Sequence, residues 1–289
     1  MESHWAESMT LEPRQRSDYG ARQVEAARGV LVDIGQVLAS YSDCLVVVGG
    51  WTPDHLLPNA EVPHIGSIDV NLALDAARLG SGRYAEMLKL LLNTRRYRQG
   101  PKDFQLLVEV DLQDGDVPLL VEIDFLAPKE IKLRKNKPKL LAGFRVLQAD
   151  GCGAAFHAPR ELQLSGQNVR GAENTVRLRV ASLPDFLIMK AHAIGGRDKP
   201  KDVYDLCYVL EESPGGWASL AADWRTRLQE PDVASAITIL REKFDSVSAF
   251  GPRQLVEFHD AADSETRAVH ARYAYELTQA FLVSILKDA

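Results

Sequence analysis

Residues 46–75 read VVVGGWTPDHLLPNAEVPHIGSIDVNLALD and contain two strand-like runs with a glycine pair between them. The first run, CLVVVGG, is short and apolar and ends in the two glycines, which predicts a buried strand followed by a turn. The second run, over 68–74, alternates in polarity and carries Asp69 and Asn71. Side chains two positions apart on a strand share a face, so we expect this acid and this amide to point the same way.

The composition is that of a soluble globular protein, because 46% of the 289 residues are hydrophobic and 26% are charged. This length is enough for one large domain or two modest ones. The net charge of −6 gives no overall basic signal for nucleic-acid binding. The first residues form no apolar signal segment, no run reaches the length of a membrane span, and the three cysteines show no metal or disulfide spacing. We therefore expect a cytoplasmic protein that does not contact a membrane.

Hydrophobic periodicity predicts an α+β fold. The N-terminal part is expected to form a small mixed or antiparallel sheet flanked by helices, and the C-terminal part a mainly helical domain. The predicted segments are a loose leader over 1–20, a core domain over 21–130, connecting strands with a basic loop over 131–182, and a helical domain over 183–289.

Single elements are predicted from the same patterns. Helices are expected over 21–41, 51–57, 84–96, 183–194, 199–212, 217–228, 232–245 and 264–287. Strands are expected over 44–48, 68–74, 104–112, 117–128, 144–148, 154–158 and 175–181, with a hairpin turn over 113–116.

Three features follow one another along the core domain in an order that suits phosphoryl transfer. They are the pair Gly49 and Gly50 after a strand, Asp69 with Asn71 on the next strand, and Asp124 within VEIDF on a later one. Mg²⁺ prefers oxygen ligands, and two such ions can clamp the attacking and leaving oxygens of an in-line displacement. Glycines let backbone N–H groups approach a triphosphate closely. Each feature alone is weak, since glycine is common in turns and most strand acids are solvated.

The ordered set resembles the polymerase-beta-type nucleotidyltransferase superfamily. In that superfamily, two acids spaced Asp-x-Asp hold two metal ions, and a third acid binds the catalytic metal and helps to deprotonate the attacking hydroxyl. The resemblance therefore implies that Asp69, Asn71 and Asp124 ligate Mg²⁺ or Mn²⁺, and that Gly49 and Gly50 lie at the triphosphate of an NTP. It extends over roughly residues 40–128.

Asn71 departs from the superfamily pattern, because the second acid is replaced by an amide. An amide oxygen can still ligate Mg²⁺, but one negative charge is lost from the site. Three explanations stay open at this point. The chain is an engineered inactive form, a natural member that tolerates asparagine, or a protein that binds a nucleotide without transferring it.

A second motif, DFLIMKAHAIGGRDKPKDVYDLCYVL over 185–210, places a lysine on one helix and a basic loop before the next. Residue types alone are also compatible with a solvated loop and a capped helix. The residue pattern resembles the motif K…R-x-K-x-[KR]-D-x-x-D-L of the nucleotidyltransferase AbiEii toxin family. That resemblance implies that Lys190 contacts the nucleotide phosphates and that Asp202 is its acidic partner, whereas Asp205 is expected to be structural.

Several smaller features have two interpretations each. Ser67 is a candidate phosphate donor or a turn cap, His64 a base contact or an ordinary loop residue, and Trp51 a packing residue or a stacking surface. The basic cluster KLRKNKPK over 132–139 is a candidate RNA contact or a solvated loop.

The resemblances together imply a metal-dependent nucleotidyltransferase of a toxin–antitoxin system. It would move an NMP from an NTP onto an acceptor, for which we expect RNA and in particular the 3′ end of tRNA, and it would have a cognate antitoxin. One alternative is a lincosamide-type antibiotic nucleotidyltransferase, because GGWTPDHLL over 49–57 also resembles the start of those enzymes. They lack the second motif with this residue pattern. The other alternative is a non-catalytic nucleotide-binding module.

Overall fold

The computed structural model describes residues 12–129 and 145–287, and its fold is α+β, as predicted. Within those ranges there are eight strands and nine α-helices. The strands are β1 (Leu45–Val48), β2 (Val70–Leu74), β3 (Tyr97–Gln99), β4 (Gln105–Val110), β5 (Leu119–Pro128), β6 (Leu147–Ala149), β7 (Arg160–Gln167) and β8 (Glu173–Val180). The helices are α1 (Ala21–Val37), α2 (Trp51–Leu56), α3 (Ala76–Asn93), α4 (Leu183–Gly196), α5 (Pro200–Glu212), α6 (Gly216–Thr226), α7 (Pro231–Lys243), α8 (Phe250–His259) and α9 (Ser264–Leu286).

All of these strands belong to one mixed sheet with the order β3-β4-β5-β2-β1-β8-β7, and β6 adds to one end of β5. The sheet is larger than the small one predicted, because β6, β7 and β8 join it from the segment that was expected to connect two domains. Strand β2 pairs antiparallel with β1 and parallel with β5. In this register Asn71 lies opposite Val48 on one side and Asp124 on the other. The glycine pair after β1 is thereby brought to the edge where the polar residues lie.

The first large hydrophobic core lies between the sheet and the helices α1 and α3. It includes Leu31 and Ile34 of α1, Leu88 of α3, and Leu72 and Phe125 of the central strands, all almost fully buried. Apolar residues recur along α1 at helical spacing, so one of its faces is removed from water against the strands. This packing fixes β2 and β5, and therefore the residues they carry.

The second large core lies among helices α4 to α9, with Trp224, Phe258 and Phe281 fully buried. Tyr19 and Leu57 from the N-terminal part of the chain also belong to it. The sheet part and the helical part are thus in direct contact, while the predicted domain boundaries stay a prediction.

Helix α3 begins at Ala76 rather than at 84, strand β3 was not predicted, and three further elements differ from the sequence prediction. Residues 154–158 are not a strand, since the 3₁₀ turn Cys152–Phe156 follows Gly151, whose φ of +70° turns the chain. Strand β7 was not predicted, because it is an edge strand with mostly exposed side chains and only two apolar residues, Leu162 and Leu164. Helix α8 was not predicted either, because Gly251 and Pro252 in its first turn read as a loop, although proline is tolerated there.

Two further predictions concern the N-terminal leader and the basic cluster. Residues 12–20, assigned to a loose leader, pack onto the helical part: the Arg14 guanidinium pairs with Glu257 and Asp198. The basic cluster over 132–139 lies outside the described residues. Among the helices that are described, none is both long enough and apolar enough to cross a membrane.

Close packing of α1 against β8 provides a test of the fold. A Cβ atom built on Gly35 would lie 2.8 Å from Cγ2 of Val176 and 2.9 Å from its Cβ. We expect Gly35→Ala to lower the free energy of unfolding by about 1–3 kcal/mol through overpacking, measured by urea denaturation. Gly196→Ala is the control, because nothing lies within 4 Å of a Cβ built there. Equal stability of the two variants would contradict this packing.

Candidate active site

The structure brings the predicted residues Asp69, Asn71 and Asp124 together. Asp69 directly precedes β2, and Asn71 and Asp124 are register partners on the parallel strands β2 and β5. The Asn71 amide hydrogen-bonds the Asp69 carboxylate, and the charge of Asp69 acts on Asp124. The three side chains therefore form one polar group, which we call the acidic site.

Asp69 is held firmly by its neighbours. The Ser67 hydroxyl donates to its Oδ1 at 2.7 Å, and the Trp51 indole N–H donates to its backbone carbonyl, also at 2.7 Å. Burial raises the pKa of Asp69, but nearby Lys199 and the hydrogen bonds from Ser67 and Asn71 outweigh burial and bring it below the usual range. Trp51 is 1% exposed, so of the two interpretations considered it is a packing residue, at the start of α2. Ser67 acts here on Asp69, and its contact with a phosphate stays a prediction.

Asp124 has the opposite electrostatic environment. Burial raises its pKa to about 6, the charge of Asp69 adds to that rise, and a hydrogen bond from Gln105 opposes it. The Gln105 amide donates to Oδ1 of Asp124 at 3.1 Å and to Oε2 of Glu122 at 2.7 Å. Gln105 is fully buried directly across from Asp124 on β4. The sequence analysis did not identify Gln105, since only the strand register reveals its position.

The donors of the acidic site fit a magnesium or manganese ion. Two carboxylates and an amide oxygen are hard oxygen ligands of the kind that Mg²⁺ prefers. Among residues 12–129 and 145–287, no three His, Cys, Asp or Glu side chains are grouped so that they could hold a metal. The third donor in this site would therefore be the amide of Asn71, and a cation beside Asp124 would offset the cost of its buried charge.

The glycine turn between β1 and α2 lies against this group. Gly49 has a φ of +75°, and a Cβ built on it would lie 3.3 Å from the Asn71 amide nitrogen. A Cβ built on Gly50 would lie 2.6 Å from Nζ of Lys201 and 3.2 Å from the Gly66 carbonyl oxygen. Any side chain would therefore strain the turn at the first position and displace neighbours at the second.

Helices α4 and α5 are joined by a buried ion network. Nζ of Lys190 lies 2.7 Å from Oδ1 of Asp202 and 2.7 Å from Oδ2 of Asp205. Burial lowers the pKa of Lys190, but these two carboxylates outweigh it and the net shift is upward. The Arg197 guanidinium binds both oxygens of Asp202 at 2.7 and 2.9 Å. The predicted pairing of Lys190 with Asp202 is thus present in the structure.

The same network reaches the chain segment in front of β2. Asp205 also accepts from Nζ of Lys201 at 2.7 Å and lies 3.0 Å from Nε2 of His64. The Gly66 backbone N–H donates to Nδ1 of His64 at 3.0 Å, so that ring is neutral and Nε2–H donates to Asp205. Both ring nitrogens are therefore occupied, which leaves neither free for the base contact considered from the sequence.

Lys199 connects the start of α5 with the acidic site. Its Nζ lies 3.9 Å from Oδ2 of Asp69. Asp198, one residue earlier, accepts from Arg14 through its side chain at 2.9 Å and its carbonyl at 3.2 Å. Pro200 begins the helix immediately after Lys199. The basic loop was visible in the sequence, but the residue that faces Asp69 was not.

A comparison of the sequence with known protein families supports the interpretation of the second motif. Residues 151–278 match the sequence model of the family described as nucleotidyl transferase AbiEii toxin, type IV TA system, which confirms the predicted resemblance to that family over this segment. The match includes α4, α5 and the whole of the motif over 185–210, and it covers slightly less than half of the chain. No curated protein matches the sequence. The glycine turn and the acidic site lie outside the matched segment, and the structure places them in contact with it.

The neutral His64 ring gives a prediction about pH. Burial lowers its pKa to about 4 from the usual 6.5, so below pH 6.5 the unfolded chain takes up a proton that the folded chain does not. The free energy of unfolding should therefore fall as the pH decreases from 6.5 to 4, and His64 should account for at most ~3 kcal/mol of that fall. We expect His64→Gln, which preserves both hydrogen-bonding groups, to make the fall smaller when urea denaturation is repeated across this range. Parallel curves for the two proteins would show that His64 is not held neutral.

Proposed function

We propose that this chain is a nucleotidyltransferase toxin that transfers an NMP from an NTP to RNA, with the 3′ end of tRNA as the preferred acceptor. The observation that carries the proposal is the contact between the two parts of the site. The basic start of α5, which lies in the segment matched by the toxin family, meets the acidic site at Asp69 and the glycine turn at Gly50. Neither part would support a transfer reaction alone. The acidic site and the glycine turn lack cations for the phosphates, and the start of α5 lacks metal ligands.

Each residue of the acidic site has a role in this proposal. Asp69, Asn71 and Asp124 would hold Mg²⁺ or Mn²⁺, which when bound supplies positive charge for the phosphate oxygens. The acceptor hydroxyl attacks the α-phosphorus, and pyrophosphate leaves. Asp124 is proposed to ligate the ion and to help to deprotonate the hydroxyl, because its carboxylate lies beside Asn71 and Asp69 in the same site.

The glycine turn and the ion network would bind and orient the NTP. Backbone N–H groups at Gly49 and Gly50 are proposed to approach the triphosphate, and Ser67 to support Asp69 or to donate to a phosphate. Lys190 and Asp202 are proposed to act in the same cleft, since together they fix the start of α5 beside Asp69. The fixed start of α5 needs little reorganisation when the nucleotide binds.

The acceptor and the antitoxin follow from the family and not from the geometry. A net charge of −6 means that RNA would have to bind to local basic segments, of which the cluster over 132–139 is the strongest candidate. A cognate antitoxin is proposed because the matched family is one of toxin–antitoxin systems. Action in the cytoplasm is proposed because both nucleotides and tRNA are found there.

Labelled NTPs provide the direct test. Each of the four NTPs, labelled at the α-phosphate, is incubated with the protein, total RNA and Mg²⁺, and the RNA is then separated on a denaturing gel. We expect label on RNA of tRNA size with the intact chain and none with Asp69→Asn. Transfer to a lincosamide but not to RNA would favour the antibiotic-modifying alternative. Mg²⁺-dependent NTP binding without any transfer would favour the nucleotide-binding module.

Asn71 provides a second test of the same site. Asn71→Asp should restore a carboxylate between Asp69 and Asp124 and so tighten Mn²⁺ binding by about tenfold or more, since charge interactions in a partly buried site exceed those in water several-fold. Transfer of NMP should rise with it. Without metal, three clustered carboxylates repel one another, so the melting temperature should fall by a few degrees, or roughly 1 kcal/mol.

The measurements are calorimetric titration with Mn²⁺, the RNA-labelling rate, and thermal melting with and without metal. Asn59→Asp is the matched control, because it makes the same change at an exposed position in a turn. Equal metal affinity and equal melting behaviour of the two variants would show that residue 71 is not a metal ligand.

A further inference from the structure

Three lysines lie near the proposed triphosphate site, and the structure separates them by how completely each is paired. Lys190 has carboxylate oxygens of both Asp202 and Asp205 at 2.7 Å, and its side chain is 9% exposed. Lys201 has Asp205 at 2.7 Å and is 4% exposed. Both ammonium groups are therefore enclosed and already hold a close counter-charge.

Lys199 is different in exposure and in pairing. Its side chain is 16% exposed, and its Nζ lies 3.9 Å from a carboxylate, Asp69, that is itself 26% exposed. This pair opens to solvent at the acidic site, whereas the pairs made by Lys190 and Lys201 do not. At 3.9 Å the contact lies at the outer limit of an ion pair, so the ammonium can turn to another anion at little cost.

On this basis we propose that Lys199, rather than Lys190, is the side chain that contacts the triphosphate, and that Lys190 is a positioning residue for α5. The inference rests on the proposed function and names a residue of the same site. A nucleoside triphosphate bound at the acidic site and the glycine turn brings its phosphate oxygens beside Nζ of Lys199. The ligand class is therefore a polyphosphate carried on a divalent cation.

The surrounding residues hold Lys199 in place before any ligand binds. On its N-terminal side Asp198 is tied to Arg14, and on its C-terminal side Pro200 starts α5 with a fixed φ. Behind it, Asp202 receives Lys190 and Arg197, which anchors the first turn of the helix. A lysine whose backbone is already fixed loses less conformational entropy when it meets a phosphate than one in a free loop would.

Electrostatic balance favours the same assignment. Lys190 is fully compensated, since two carboxylates raise its pKa in spite of burial. For Lys190 to reach a phosphate it would have to give up two short ion pairs with buried carboxylates, Asp202 and Asp205, which is unfavourable. Lys199 leaves only Asp69, which the metal ion proposed for this site would then neutralise.

The test compares Lys199→Gln with Lys190→Met, and uses Lys89→Gln on the exposed face of α3 as the matched control. Affinities for Mg²⁺ complexes of ATP, GTP, CTP and UTP are measured by calorimetry, followed by the di- and monophosphate of whichever nucleotide binds best. Melting temperatures are recorded for every variant. Lys199→Arg is included as the conservative variant.

We expect Lys199→Gln to melt like the intact chain and to bind the triphosphate about ten- to a hundredfold more weakly, as for the loss of a charge-assisted contact. The loss should shrink for the monophosphate, and Lys199→Arg should restore most of the affinity. Lys190→Met should mainly lower the melting temperature, because it removes a buried cation that pairs with both Asp202 and Asp205.

Two outcomes count against the inference, and they can be told apart. Unchanged triphosphate affinity in Lys199→Gln, with a large loss in Lys190→Met at an unchanged melting temperature, would return the contact to Lys190. No binding of any NTP to the intact chain would instead refute the proposed function, and the Lys199 assignment would fail with it.

Discussion

The buried carboxylate of Asp205 is the interaction on which the arrangement of the site depends. It is fully buried and receives Lys190 from α4, Lys201 from its own helix and His64 from the segment before β2. A buried charge of this kind is tolerated only because its partners surround it, and removing one of them typically costs several kcal/mol. Lys190 and Lys201 are near Asp205 in sequence, whereas His64 is 141 residues away. Asp205 thereby fastens the helical part to the strand that carries the acidic site.

The acidic site contains two carboxylates, Asp69 and Asp124, whose pKa values are shifted in opposite directions. Asp69 has hydrogen-bond donors and a nearby lysine, and its pKa lies below the usual range. Asp124 is buried beside that negative charge, and its pKa rises to about 6. Asp69 is thus held ionised, whereas Asp124 takes up a proton at a higher pH than an exposed carboxylate does. The hydrogen bond that Gln105 donates to Asp124 lowers the pKa of Asp124 and so makes the difference between the two pKa values smaller.

Much of the fold could be read from local patterns. The helices α1, α5 and α9 and the strands β1, β2 and β5 follow from apolar periodicity, because each has one face that must leave water. Edge strand β7 and helix α8 were not predicted, since β7 has only two apolar residues and the Gly-Pro step in α8 is typical of a loop. The glycine pair, Asp69, Asn71 and Asp124 were identified from their order along the chain. The ion network was identified only as a pair of residues, Lys190 and Asp202.

The sequence by itself determined the chemical groups of this protein: the oxygen donors, the glycine turn, and the basic loop matched by the toxin family. The tertiary structure decided which of those groups meet. The pairing of β2 with β5 sets Asn71 opposite Asp124, and the packing of α5 directs Lys199 toward Asp69 while Lys190 and Lys201 turn inward. Local patterns cannot specify such contacts, because they arise from burial of surfaces that are distant in sequence and from the need to pair every charge that burial encloses.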